Sequence, residues 1–179
     1  MHGASLIMHL AVIQIGGGFG NMARLAHAAY GCRSWTILDL EFMGQLQYKF
    51  LENTTSKVRI EVNASPSVTE NSGRDEAVFN LVSTKRLNTW FSGGYVGSDV
   101  LIATSSLSEL AMEDFWWYFN HIVPRVRLIL YAYNKKWPSE EMHREKLAAL
   151  LEAHNLVYTL ESAGGVTVTA VFEKKNTSI

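Results

Sequence analysis

One stretch does most to constrain the fold of this chain. The apolar run Val12-Ile13-Gln14-Ile15 leads into Gly16-Gly17-Gly18-Phe19-Gly20, and a segment with helical spacing follows from Asn21 to Tyr30. A second apolar run, Trp35-Thr36-Ile37-Leu38, then ends on Asp39. A buried strand, a turn that only glycines make easily, a helix and a second strand form a βαβ unit, and such units build parallel sheets. Glycines at this turn also let a ligand come close to the main chain at a helix N-terminus. An acid roughly 20 residues on is placed to accept hydrogen bonds from ribose hydroxyls. Together these features point to an adenosine-containing cofactor at the C-terminal edge of a parallel sheet.

The rest of the chain repeats the alternation. Strands are predicted at Ala11–Ile15, Ser34–Leu38, Lys57–Asn63, Asp99–Thr104 and Arg127–Tyr133. Helices are predicted at Asn21–Tyr30 with Met22, Leu25, Ala26 and Ala29 inward, at Glu41–Glu52 with a Phe42, Leu46 and Phe50 stripe, and at Ser108–Ile122. A further helix opens at Pro138-Ser139-Glu140-Glu141 and runs to His154, with Ser139 as its cap. Ala64–Glu76 reads as a loop, Val78–Val82 as an apolar run of open type, and Lys85–Gly97 stays open. Trp90, Phe91 and Tyr95 in that last stretch form either a mobile aromatic loop over a site or plain surface packing. Leu156–Leu160 and Val166–Phe172 flank Ser162-Ala163-Gly164-Gly165 and form a terminal β-hairpin. The expected architecture is a Rossmann-like α/β fold: a mostly parallel seven-stranded sheet with helices on both faces and a C-terminal antiparallel hairpin.

Size and charge narrow the class. The 179 residues suit one α/β domain, read as residues 11–179 after a short lead-in at 1–10. A net charge of -1 gives no electrostatic footprint for nucleic acid or a membrane. Lys135-Lys136 and Lys174-Lys175 read as solvated ends. No apolar run reaches membrane-spanning length, and Met1–Leu10 lacks the pattern of a signal peptide. The single cysteine, Cys32, allows no internal disulfide and fits a reducing cytoplasm. Asn63-Ala64-Ser65 and Asn176-Thr177-Ser178 match glycosylation sequons, which without a secretory signal carry no weight.

The glycine cluster supports two registers. As Gly18-x-Gly20-x-x-Ala23 it fits the dinucleotide fingerprint of dehydrogenases, which implies a nicotinamide-dependent oxidoreductase. As Gly16-x-Gly18-x-Gly20 after a strand it resembles the first motif of class I S-adenosylmethionine-dependent methyltransferases. Length, the terminal hairpin and the lack of hydride-transfer machinery favour the second. Tyr131 and Lys135 match a Tyr-x-x-x-Lys pair, but on a strand they stand more than about 10 Å apart. Ile13–Gly20, Ile37-Leu38-Asp39-Leu40-Glu41 with Gln47-Tyr48, and Thr104-Ser105-Ser106-Leu107-Ser108-Glu109-Leu110 together resemble the sugar O-methyltransferase family. Two departures stand out: Gln14 where that family has an acid, and Glu41 directly after Asp39-Leu40 with no proline between.

The resemblance implies S-adenosylmethionine as cofactor and a hydroxyl of a small molecule, a sugar in that family, as acceptor. It assigns Gln14, Gly16, Gly17, Gly18 and Gly20 to the methionine and ribose side, Asp39 to the ribose hydroxyls and Leu40 to the adenine. Val82 and Ser83 fall at the adenine rim, and Ala103 and Thr104 under the methionyl part. Glu109 is the candidate general base, Ser106 an acceptor-orienting group and His121 the second-choice base. No metal is expected, because the histidines and acids lack ligand spacing. A non-catalytic or truncated cofactor-binding module of the same fold is the alternative, and a homo-oligomer stays open.

Overall fold

The computed structural model describes residues 10–66, 76–135 and 139–175. They fall into two compact units, one ending at Val96 and the other starting at Gly97.

The first unit runs β1 (Ala11–Ile15), α1 (Asn21–Tyr30), β2 (Ser34–Asp39), α2 (Glu41–Thr54), β3 (Val58–Val62), β4 (Ala77–Ser83) and, after a 3-10 turn at Thr84–Arg86, α3 (Leu87–Ser92). Its four strands are all parallel, in the order β3-β4-β2-β1. Ile13, Ile37, Val78 and Phe79 are fully buried, as continuous apolar runs in a parallel sheet should be. The register pairs Ile15 with Leu38, and Asp39 with Ser83. Side chains 44 residues apart in sequence therefore share the C-terminal edge. The apolar run of open type, Val78–Val82, is a strand. A short buried run has no periodicity to tell strand from helix, and here β2 and β3 flank it. With it the described strands number eight rather than seven.

Two helix faces differ from expectation. In α2, Phe42 and Leu46 are exposed, and the residues buried are Gln47 and Leu51. In α1, Leu25 is exposed and Ala23 is the buried residue. The apolar stripe is the usual guide, but in α2 the buried face is chosen by a polar group with partners waiting for it, as the site geometry makes clear. The aromatic segment is packed rather than exposed: Trp90 and Tyr95 are buried with ring centroids 4.9 Å apart, and Phe91 lies edge-on to both. Residues 67–75, within the expected loop, lie outside the described residues.

The second unit runs β5 (Ser98–Thr104), α4 (Ser106–Glu109), α5 (Met112–His121), β6 (Val126–Asn134), α6 (Glu140–Ala153), β7 (His154–Glu161) and β8 (Thr167–Lys174). β5 and β6 are parallel, whereas β8 runs antiparallel to both β6 and β7. The expected hairpin is thus present, its turn closed by the Gly165 N–H donating to the Ser162 carbonyl at 2.8 Å. The helix expected over Ser108–Ile122 is two helices, because Leu110 takes an extended conformation between α4 and α5. Ser139 caps α6 as expected, its hydroxyl accepting from the Met142 N–H at 3.2 Å. Pro138 lies outside the described residues, and α6 ends at Ala153 rather than His154. At the other end of α6 the Lys175 ammonium donates to the Leu151 and Glu152 carbonyls, a favourable place for a cation.

Candidate functional site

The site grows out of the exit from β1. The main chain turns through Gly16, Gly18 and Gly20 at φ of 69°, 52° and 86°, a region that side chains disfavour. Gly17 is constrained by space instead: a Cβ there would collide with Ile37 Cγ2 and lie 3.0 Å from Gln47 Nε2. The Gly16 N–H donates to the Leu38 carbonyl at 2.9 Å and ties the turn to the end of β2. No side chain caps α1, whose N-cap is Gly20. Its first amides thus have no side-chain capping group.

Asp39 is the electrostatic centre of this turn. Its half-buried carboxylate takes three donors. Oδ2 accepts from the Gly17 N–H and from Gln47 Nε2, both at 2.8 Å, and Oδ1 accepts from the Leu40 N–H at 2.8 Å. The second amide proton of Gln47 goes to the Gly18 carbonyl at 2.9 Å. Gln47 thus clamps the acid at the end of β2 to the glycine turn at the end of β1.

Beside this network lies a cleft of about 340 Å³. Asp39, Leu40, Val82 and Ser83, four residues singled out from the sequence, all line it. Val62 and Leu81 add apolar wall, and Tyr48 and Asn63 add polar groups. Asn63 sits at a φ of 54°. Its N–H donates to the Leu81 carbonyl and its side-chain oxygen accepts from the Ser83 N–H, both at 2.8 Å, so it fixes the exit of β4. Glu41 is on the rim, where Lys85, hydrogen-bonded at 2.6 Å, draws its carboxyl below the usual carboxylate range. A second cleft, lined by Arg86, Thr89 and Trp90, shares Asn63 and Val82 with the first.

The other predicted residues stand elsewhere. Gln14 is buried within the strands; its side chain accepts from the Trp35 indole N–H at 3.0 Å and donates to the Gly16 carbonyl at 3.4 Å, so it supports the turn from below. In the second unit, Ala103 is buried and Thr104 half-buried at the end of β5. Ser106 is half-buried at the start of α4 and Glu109 exposed at its end. His121 ends α5, its ring stacked on Trp117 at 4.5 Å and its Nδ1 on the Trp117 carbonyl at 2.7 Å.

Two side chains that shape these loops carry no role in the sequence reading. One is Gln47. The other is Lys146 of α6, buried, whose ammonium donates to the carbonyls of Leu107 (3.3 Å), Ser108 (2.8 Å) and Leu110 (2.6 Å) and lies 5.5 Å from the Phe115 ring centre. Burial lowers its pKa from the ordinary lysine value. The sequence signal for Gln47 was its place beside Tyr48 in the segments that carry the resemblance, and Lys146, between Glu145 and Leu147, carried none.

No protein-family model and no curated protein matches the sequence. Solved structures do match the fold. Mitomycin 7-O-methyltransferase aligns over 94% of this chain and 50% of its own, with a TM-score of 0.61 and 14% identity. The methyltransferase domain of bacterial CtHen1 aligns over 94% of this chain and 92% of its own, with a TM-score of 0.62 and 11% identity. TrmK of M. capricolum, in complex with S-adenosylhomocysteine, aligns over 96% of this chain and 66% of its own, with a TM-score of 0.60 and 11% identity. The chain thus spans half the length of the first of these and nearly all of the second. What is shared at such identities is architecture, and by that architecture the chain has the Rossmann-like α/β fold of methyltransferases.

Proposed function

We propose that the chain binds S-adenosylmethionine at the glycine turn and the Asp39 cleft, and transfers its methyl group to a hydroxyl of a small molecule. One observation carries the reading: Asp39, Leu40, Val82 and Ser83, chosen from the sequence as ribose and adenine contacts, line one cleft beside the glycine turn. The donor set fits such a ligand. Asp39 offers an acceptor for a ribose hydroxyl, and Leu40, Val62, Leu81 and Val82 offer apolar surface for a purine. Gly18, exposed and with open space where a Cβ would stand, leaves the main chain accessible to close approach, while Gly16, Gly17 and Gly20 shape the turn. Gln14 braces the turn. Ala103 and Thr104 are the proposed methionyl-side residues.

The bound cofactor supplies an already activated methyl on a sulfonium, so the chain's own work is to position and to move a proton. Glu109 is the proposed base for the acceptor hydroxyl, with Ser106 orienting it and His121 the second choice. A sugar hydroxyl is our first acceptor class, from the resemblance of the Gly-Gly-Gly-Phe-Gly, Asp-Leu-Glu and Ser-x-x-Glu segments. Residues 11–179 are proposed to work as one domain in a reducing cytoplasm. No described helix is long and apolar enough to cross a membrane.

The test is calorimetric titration with S-adenosylhomocysteine, NAD and NADP in parallel. Saturable binding of the first alone is expected, followed by methyl transfer to a panel of sugars and other hydroxyl acceptors. Binding of a nicotinamide cofactor instead would overturn the reading in favour of an oxidoreductase. Cofactor binding with no transfer to any acceptor would favour a binding module.

A further inference from the structure

Gln47 is a costly residue to bury. It is fully enclosed, and its side-chain oxygen has no hydrogen-bond partner among the described residues. An orphaned buried acceptor is unfavourable, and a leucine or methionine there would avoid it. The amide is therefore retained for its two donors, and both are spent in the site: one on Asp39 Oδ2 and one on the Gly18 carbonyl. α2 turns this residue inward while leaving Phe42 and Leu46 in solvent.

That bond changes what Asp39 can do. An ionised carboxylate has about four acceptor sites, two on each oxygen. On Oδ2 both are taken, by the Gly17 N–H and by Gln47; on Oδ1 one is taken, by the Leu40 N–H. One acceptor site is left, on Oδ1. We propose that Gln47 is a specificity-determining residue: by saturating Oδ2, it limits Asp39 to accepting one ribose hydroxyl of an adenosyl ligand rather than both. This rests on the cofactor reading given above and adds to it which groups of the ligand are read at Asp39. The glycine turn contributes to the same restriction, since a Cβ at Gly17 would crowd Gln47 Nε2.

The test is calorimetry on the full chain with S-adenosylhomocysteine and its 2′-deoxy and 3′-deoxy analogues. Removal of one hydroxyl should weaken binding about tenfold, the loss of one hydrogen bond to a charged group, and removal of the other less than about twofold. In Gln47→Met an Oδ2 site is released, and the two deletions should then cost within about threefold of each other. Equal losses in the wild-type chain would overturn the proposal and leave the cofactor reading standing; that comparison needs no variant to fold. A folded chain that binds no S-adenosylhomocysteine would overturn both.

Discussion

Two loops of this molecule solve the same problem differently. Each follows a strand of the parallel set, each leaves its strand in the left-handed region, and each is held by one buried side chain from a later helix. After β1 the turn uses glycines, and Gln47 holds it with a neutral amide. After β5 the turn uses Ser105 at a φ of 64°, and Lys146 holds it with an ammonium on three carbonyls. The glycine turn keeps an acid beside it. The β5 turn gathers its carbonyls inward around a cation, leaving Glu109 exposed at its rim. A neutral clamp suits a loop that must present an acid, because a cation there would compete for that acid. A charged clamp suits a loop whose task is to hold its shape, since charge-assisted hydrogen bonds are the strong ones.

The comparison can be broken at four points. Asp39→Ala removes the acceptor on which the first loop converges, and S-adenosylhomocysteine affinity should fall by at least about 100-fold by calorimetry. Lys146→Met keeps the volume of the side chain and strips three carbonyls of their donor. Denaturant unfolding should show a loss of about 2–3 kcal/mol. Gln47→Leu should cost only about 1 kcal/mol in the same assay, because the loss of two donor bonds is offset by removal of the orphaned oxygen. If Gln47→Leu proved as damaging as Lys146→Met, the contrast between neutral and charged clamps would collapse.

Acidity gives the fourth and smallest effect. Gln47 does not titrate, whereas burial lowers the Lys146 pKa below its usual 10.5. Between the folded value and 10.5 the unfolded chain holds the extra proton, so stability contributed by this group rises with pH across that window. Wild-type stability measured against Lys146→Met should therefore climb toward pH 10.5, by no more than about 1.4 kcal/mol per unit, and be flat at lower pH. A difference that falls with rising pH would show that the ammonium is favoured in place rather than penalised by burial.

The first loop was legible in the sequence because its chemistry is local. A glycine run after an apolar strand, and an acid at the end of the next, are fixed by backbone geometry within one βαβ unit. Leu40 follows from Asp39 by adjacency. Val82 and Ser83 came from the family resemblance, and the parallel register sets them across from Leu38 and Asp39. The clamps were not legible. Lys146 meets partners 36 to 39 residues before it, and nothing in α6 announces them. Gln47 stood in the segments that carry the resemblance, but its inward turn was hidden by a rule that usually works: Phe42, Leu46 and Phe50 mark an apolar stripe, yet Phe42 and Leu46 face solvent. The break in the helix after β5 was missed for the same reason, since Lys146 meets the chain at that point from a distant helix.

Cys32 lies between α1 and β2, 1% exposed, with its sulfur 4.0 Å from the Leu10 and Ser34 carbonyls. Burial also raises its pKa, which keeps it in the unreactive thiol form. It is the only thiol in the chain, so its alkylation in native buffer reports the opening of one seam, the one joining the glycine turn's helix to the strand that carries Asp39, and does so as an opening rate when the reagent outpaces reclosing. The molecule thereby carries its own clock for that seam, readable by mass alone, and a ligand that closes it will slow the clock without any label being added.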